Sequence, residues 1–348
     1  MRAAKALAHT KPDIHVMSST SNPIVRVTRR IPFPAERVFD AWLNPTLMAK
    51  WLFATPGGQM IRAEADPRVG GRFTFTERRG NDDVEHTGEY LEIDRPRRLV
   101  FTFGVPKFST NFDRIVVEIE PLGSACRLTL THEMKPEFSE YFGKTRDGWT
   151  NIVESLAASL GDQRAATNRE PGQFTAPGEA RLVRLLPGPI ERVWSYLTDG
   201  EKRKQWFAGG AMDLRVGGRA NLHFRHANIA PDEKPPEKYA QYHDPGGTMP
   251  VEITQCEPPR LLSFTWLGDD GARTSEVTFE LTPEGDDVRL VLTHRRLASD
   301  EERANVSAGW HLHTAVLAAL LTGDTPPPFW PMHARLEARY AKMLEGKV

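Results

Sequence analysis

The chain is poor in cysteine, in net charge and in long apolar runs, and each shortage excludes something. Cys126 and Cys256 are the only two cysteines in 348 residues and fall in strand-like segments of different halves. That excludes a disulfide framework and a cysteine-rich metal site, and it fits a reducing, cytoplasmic setting. Lys and Arg number 45 against 46 Asp and Glu, so no bulk electrostatic attraction points to nucleic acid. No stretch approaches the ~18 consecutive apolar residues of a membrane span. Residues 1–22 carry Arg2, Lys5 and Lys11 but no apolar core of the kind a secretory signal needs. They read as a disordered tail, with Met17 as an alternative start. Gly-x-Ser-x-Gly, phosphate-loop, dinucleotide and zinc-protease signatures are also missing.

What is present is a repeat. DPRVGGR at 66–72 returns as DLRVGGR at 213–219. Glu36-Arg37-Val38-Phe39 returns as Glu191-Arg192-Val193-Trp194, and Trp51 as Trp206, 155 residues on. RLVFTF (98–103) answers RLLSFTW (260–266), RLTLTH (127–132) answers RLVLTH (289–294), and Gly148-Trp149 answers Gly309-Trp310. The heptads are 147 apart, so the second copy lacks eight residues between its Trp and its glycines. Units this long, in one order throughout, are a tandem domain duplication. The expected domains are 23–161 and 179–348, the second with a C-terminal helical extension, joined by a polar Gly/Pro-containing linker at 162–178. The heptad reads as a hairpin marker: paired glycines permit positive φ, Val anchors one side, and Asp and Arg pair across it.

Each unit opens with an alternating segment, IVRVTRRI (24–31) or ARLVRLL (180–186), the period of a half-buried strand. Pro34 and Pro189 are placed as first residues of a helix, Asn44 as the cap of a second short helix, and Thr198 or Asp199 as the cap of its counterpart. Strand-like runs divided by Gly, Pro and Asp suit an antiparallel meander. A long helix closes each unit. Phe142, Trp149, Ile152, Val153, Leu156 and Leu160 form its apolar face in the first copy, and Val306, Trp310, Leu317 and Leu321 in the second. The fold class is α+β: tandem helix-grip domains, each a curved antiparallel sheet wrapped around a long C-terminal helix, with two short helices after the first strand.

These motifs resemble the SRPBCC superfamily (START-like, birch-pollen-allergen-like), in the branch of homologues of the heat-shock protein 90 ATPase activator. The resemblance rests on Pro-Ala-Glu-Arg-Val-Phe-Asp-Ala-Trp (34–42), Lys50-Trp51, Val69-Gly70-Gly71-Arg72-Phe73, Leu99 to Phe103, Leu130-Thr131-His132 and Gly148-Trp149, each echoed in the second half. It implies a ligand cavity between sheet and long helix. In the first unit the implied liners are Trp42, Trp51, Phe73, Phe75, Phe101, Phe103, Trp149, Ile152 and Leu156. In the second they are Trp206, His223, Phe224, Phe264, Trp266, Trp310, His313, Thr314 and Leu317. So many aromatic rings suit a small apolar or aromatic ligand.

Setting the copies side by side puts His313 and Thr314 opposite Ile152 and Val153, and His223-Phe224 roughly opposite Thr74-Phe75. Polar groups thus enter the second unit's stripe, so a specific ligand is expected there, with His313 either its polar anchor or a satisfied core histidine. His132 and His294 close matching strands and read as structural. His311 and His313 diverge on a helix and His223 and His226 face opposite sides of a strand, so no metal is expected, and no cofactor. Two alternatives stay open: a cyclase-like or hydrolase-like enzyme on polyketide or aromatic substrates, using His313 and His223, and a chaperone ATPase-activator-like interaction protein. The Pro-rich insertion at 230–247 reads as a lid or a mobile loop. The tail at 325–344 reads as packing on its own domain or on a second copy.

Overall fold

The computed structural model describes residues 23–55, 58–267 and 274–346; the tail expected at 1–22 lies outside them. The first half runs β1 (Ile24–Ile31), α1 (Ala35–Ala41), α2 (Pro45–Met48), β2 (Gln59–Ala65), β3 (Arg72–Arg79), β4 (Asp82–Asp94), β5 (Arg98–Phe103), β6 (Asp113–Leu122), β7 (Ala125–Glu133) and α3 (Phe142–Ser159). After α4 (Gln163–Arg169), the second half runs β8 (Ala180–Pro187), α5 (Ile190–Thr198), α6 (Gly200–Arg203), β9 (Arg219–Phe224), α7 (Ala240–His243), β10 (Gly247–Glu257), β11 (Leu261–Leu267), β12 (Thr274–Glu284), β13 (Asp287–Arg295), α8 (Asp300–Thr322) and α9 (Phe329–Leu344). The sheets are ordered β1-β7-β6-β5-β4-β3-β2 and β8-β13-β12-β11-β10-β9, antiparallel throughout. Each sheet closes on its own long helix around its own apolar core.

The eight residues absent from the second copy are the first copy's edge strand. Where β2 would stand, Gly209 and Met212 make single bridges to His223 and Ala220 of β9. The heptad that follows is the same turn twice. Gly70 and Gly217 have φ of 78° and 76°, a region closed to most side chains. A Cβ on Gly71 or Gly218 would lie 2.1 or 2.0 Å from the carbonyl of Asp66 or Asp213. Gly70 N–H donates to Tyr90 O and Gly217 N–H to Ile253 O, so the turn pins the strand beyond. Asp66 pairs with Arg68 and Asp213 with Arg215. Val69 and Val216, expected as anchors, are exposed instead, because the turn projects past the end of the core.

Asn44 caps α2 through Thr46 N and Leu47 N, and Asp199 caps α6 through Glu201 N and Lys202 N. Pro34 and Pro189 precede their helices by one residue rather than opening them. Phe142, expected on the buried face, is exposed at the start of α3. The linker is not bare chain. Asp162 caps α4 through Ala165 N, and Ala165 is buried, so half of the polar stretch packs as helix.

The C-terminal segment binds both halves. Thr325 N–H donates to Thr28 O, Thr28 N–H donates to Thr325 Oγ1, and Arg30 N–H donates to Asp324 Oδ1. These bonds cover the open edge of β1, which would otherwise offer unpaired backbone groups. Arg335 of α9 pairs with Asp147 of α3 at 3.1 Å. The tail therefore packs on its own domain and on the other. The insertion is tied down as well: Glu233 accepts from Phe329 N–H and Trp330 N–H and pairs with Arg146 of α3, while Tyr239 donates to Asn305 of α8.

Candidate ligand site

One hydrogen-bonded device recurs in both domains and accounts for two of the repeated motifs. Trp149 Nε1–H donates to His132 Nδ1 at 2.8 Å, and Trp310 Nε1–H to His294 Nδ1 at 3.2 Å. With Nδ1 accepting, each imidazole carries its proton on Nε2. His132 donates it to Asp113 Oδ2 at 2.9 Å, and His294 to Ser275 Oγ at 2.7 Å. Leu-Thr-His on the last strand is thereby locked to Gly-Trp on the long helix. Neither nitrogen of either ring is free to move a substrate's proton, so the role is structural.

The inward face of the first sheet is aromatic and buried. Trp42 meets Trp51 at 4.8 Å edge-on, Phe73 meets Tyr90 and Phe101 at 5.6 Å, and Phe103 stands 5.8 Å from Trp149. Phe53, from the chain after α2, stacks on His86 at 4.3 Å and 7°. Its φ is 58°, an uncommon and costly conformation for a bulky side chain. Glu77, 1% exposed, accepts from Thr55 N–H and Oγ1–H and from Arg79. Burial, aided by Arg79, lowers the pKa of His86 to about 4, which leaves a neutral ring.

Among the described residues five buried polar atoms in this wall have no partner at hydrogen-bond geometry: Trp42 Nε1, Trp51 Nε1, His86 Nδ1, Tyr90 OH and Asp113 Oδ1, the His86 ring lying against the backbone of Phe75 and Val84. The second domain supplies an internal control. The shared turn and strand registers match Trp42 with Leu197, Trp51 with Trp206, His86 with Met249, Tyr90 with Ile253 and Asp113 with Ser275. Three of these are apolar. The other two are satisfied, Trp206 Nε1–H on Tyr196 O and Ser275 on His294. Unpartnered atoms of the second domain, on Arg184, His226, His243, Ser307 and Trp330, lie at none of the five matching positions.

The second domain's polar stripe is satisfied from within. His313 Nδ1–H donates to Trp206 O at 2.6 Å. Thr314 Oγ1–H donates to Trp310 O and accepts from buried Arg184. Tyr340 OH of α9 accepts from Gly172 N–H and bonds His311 Nδ1. Phe329 closes over His313 at 5.3 Å and over His226 at 5.2 Å. His311 and His313 are thus core groups with partners supplied by chain far away in sequence, whereas His226 Nδ1 and His243 Nδ1 have none among the described residues.

Of the candidate residues, Trp51, Phe73, Phe75 and Trp149 are buried in the first core and Trp206, Phe264, Trp310, His313, Thr314 and Leu317 in the second, while Phe103, Ile152, Phe224 and Trp266 are half-buried. His223 is not among them. It lies exposed on the outer face of β9, its Nδ1 on Thr248 Oγ1, beside an open surface pocket of about 310 Å³ that also includes Lys204, Arg225 and Asn228. The reason is parity. The heptad register matches His223 with Thr76, which faces outward, and neighbours on a strand cannot both face in. Sequence reasoning missed Phe53, Glu77, His86, Tyr90 and Asp113. Alternation through Val84, His86, Gly88 and Tyr90 would have found two of them, since these positions are buried in turn.

Cys126 is buried with its thiol pushed up to about 11, and burial raises Cys256 as well, so neither is an activated nucleophile. Among the described residues no group of three or more His, Cys, Asp or Glu is placed to hold a metal ion, and no helix is long and apolar enough to cross a membrane.

The profile of the family described as "Activator of Hsp90 ATPase homolog 1-like protein" matches residues 32–161 and again 187–322. The chain belongs to that family. Among solved structures of similar proteins, one from Bordetella parapertussis is 47% identical over 49% of this chain and 88% of its own, with a TM-score of 0.44. CalU16 of Micromonospora echinospora is 23% identical over 51% and 94%, with a TM-score of 0.36. DynU16, from the dynemicin biosynthetic locus, is 16% identical over 86% and 98%, with a TM-score of 0.33. No curated protein matches the chain. Each match of the family profile holds one copy of the His–Trp tie; the five unpartnered atoms are all in the first.

The buried imidazoles predict a pH response. Burial lowers His294 and His313 to about 3 and His226 to about 4. Unfolded, these rings bind protons near pH 6.5; folded, they stay neutral until far lower pH. The unfolded state then binds more protons, so stability is fully present above about pH 6.5 and falls below it by up to about 1.4 kcal/mol per pH unit for each ring. Burial lowers His311 and His333 as well, so the second domain, with five such rings against His86 in the first, is expected to lose stability faster on acidification. Denaturant midpoints followed by domain-resolved amide exchange check this; a second-domain midpoint that stays constant down to about pH 5 would refute it.

Proposed function

We propose that the first helix-grip domain binds a small, largely aromatic molecule between its sheet and α3, in the cytoplasm, while the second is a closed copy that stabilises the chain. The observation that carries this reading is the set of unpartnered polar atoms in the first domain's aromatic interior, set against apolar or satisfied residues at the matching positions of the second. An unmet buried polar group costs about 1–3 kcal/mol, and a bound molecule with complementary groups offsets that cost. Trp51, Phe73, Phe75, Phe103, Trp149 and Ile152 supply the wall. Phe53 holds the place of a ligand ring on His86. Binding rather than catalysis is favoured because His132 is tied at both nitrogens. The ATPase activation in the family's description belongs to the protein so named.

The environment-sensitive naphthalene dye prodan tests this on the intact chain. The expected result is saturable binding of one dye per chain, with slowed amide exchange in β3–β5 and α3. Slowed exchange in β9–β12 and α8 instead, or no saturable binding, would sink the reading.

A further inference from the structure

Within that proposed site, on whose reading this inference rests, the unpartnered atoms fall into two groups at different ends of the aromatic wall. Trp42 Nε1, Trp51 Nε1 and Tyr90 OH gather around Phe73 and Phe101: Trp42 lies 6.1 Å from Phe101, and Phe73 lies 5.6 Å from both Phe101 and Tyr90. Indole N–H groups only donate, so this end calls for an acceptor oxygen. At the other end stand Asp113 Oδ1 and His86 Nδ1, on either side of Phe103, which lies 6.1 Å from His86 and 6.0 Å from His132. Asp113 already receives the His132 proton on Oδ2, and its second oxygen can only accept, so this end calls for a hydroxyl or N–H donor. Between the ends run the rings of Phe73, Phe75 and Phe53, 6.1 and 6.5 Å apart in turn.

The geometry points to a planar aromatic ligand with a carbonyl or similar acceptor oxygen at one end, held by Trp42, Trp51 and Tyr90, and a phenol-type hydroxyl at the other, donated to Asp113. The ligand's ring takes the seat now filled by Phe53 over His86. In the second domain Phe207 supplies a ring at the equivalent place, 6.1 Å from Trp266 and 4.9 Å from Trp310, but Met249 stands where His86 does, so the stack on an imidazole is specific to the first. The two ends also impose an orientation. A molecule with acceptors only, or donors only, satisfies one group and leaves the other unmet.

The test uses four probes on the full chain by titration calorimetry: a naphthol bearing an acetyl group on its far ring, the O-methyl ether of that compound, acetylnaphthalene and naphthalene. The acetylnaphthol is expected to bind at least about tenfold more tightly than its methyl ether, as loss of a hydrogen bond to a buried charged group implies. Naphthalene is expected to be weakest. Asp113→Ser and Trp42→Leu install residues the second domain already carries. Asp113→Ser is expected to remove the preference for hydroxyl over ether, and Trp42→Leu the preference for acetylnaphthalene over naphthalene. Asp113→Asn, which keeps the size and swaps an acceptor oxygen for a donor, checks the same point should the serine variant not fold; it is expected to favour the ether. Equal affinity for all four probes, with slowed exchange still in the first domain, would overturn this ligand class and leave the binding reading intact. Slowed exchange confined to the second domain would overturn the binding reading itself.

Discussion

Replacing Arg203 by methionine is expected to destabilise the second domain by about 3–5 kcal/mol, since each carbonyl left buried without its donor costs about 1–3 kcal/mol. Arg203 is 1% exposed, and its guanidinium donates to the carbonyls of Leu197, Thr198, Ala208, Gly209 and Gly210. Burial pulls its pKa down to about 10, so the cation is held at a cost that these bonds offset. The matching residue of the first domain is Met48, buried without such duties. The difference follows from the eight missing residues. In the first domain the chain beyond α2 runs on into β2 and finds ladder partners on β3. In the second, among the described residues, two single bridges remain, and one arginine ties the carbonyls of Ala208, Gly209 and Gly210 beyond α6 to those at the end of α5. Denaturant unfolding read by tryptophan fluorescence gives the number. A loss below about 1 kcal/mol, the net worth of one ordinary hydrogen bond, would show that the carbonyls find water instead.

A chain shortened to end at Gly323 is expected to lose the native second domain altogether. α8 is buried nearly all round, with the sheet on one side and α9 on the other. Removing α9 bares the seats of Phe329, Trp330, Leu336 and Tyr340, all buried, and each such side chain is worth roughly 1.5–3 kcal/mol. Their sum approaches the whole stability of a domain, about 5–15 kcal/mol. The cut also orphans Gly172 N–H, His311 and the edge of β1, which lose Tyr340 OH and Thr325. Amide exchange should show β9–β13 and α8 unprotected, with aggregation during purification. A truncated chain that still unfolds cooperatively in both halves, at unchanged midpoints, would contradict this account of α9.

The strand, two short helices, meander and long helix of each copy were legible because they rest on local periods and turn residues. The two heptads marked the same turn because only glycine tolerates that φ and that approach to Asp66 or Asp213. His223 was misplaced through parity: matched with Thr74 or with Thr76 it shares their outward face, opposite to that of its neighbour Phe224. His86 escaped because its inward place on β4, which begins at Asp82, shows only in the alternation through Val84, His86, Gly88 and Tyr90. His313 was ambiguous for a different reason. Its partner is the carbonyl of Trp206, 107 residues away, and no pattern along the chain announces such a pair.

By itself the sequence determined that there are two domains, their common fold and which faces of their strands and helices are aromatic, because duplication and periodicity are written in the order of residues. Only the tertiary structure decided which buried polar atoms find a partner. Trp51 and Trp206 are the same residue in the same motif, yet one indole lacks an acceptor and the other has Tyr196 O. Whether a buried polar atom is met depends on what folds over it from elsewhere in the chain, and that is a property of three-dimensional proximity.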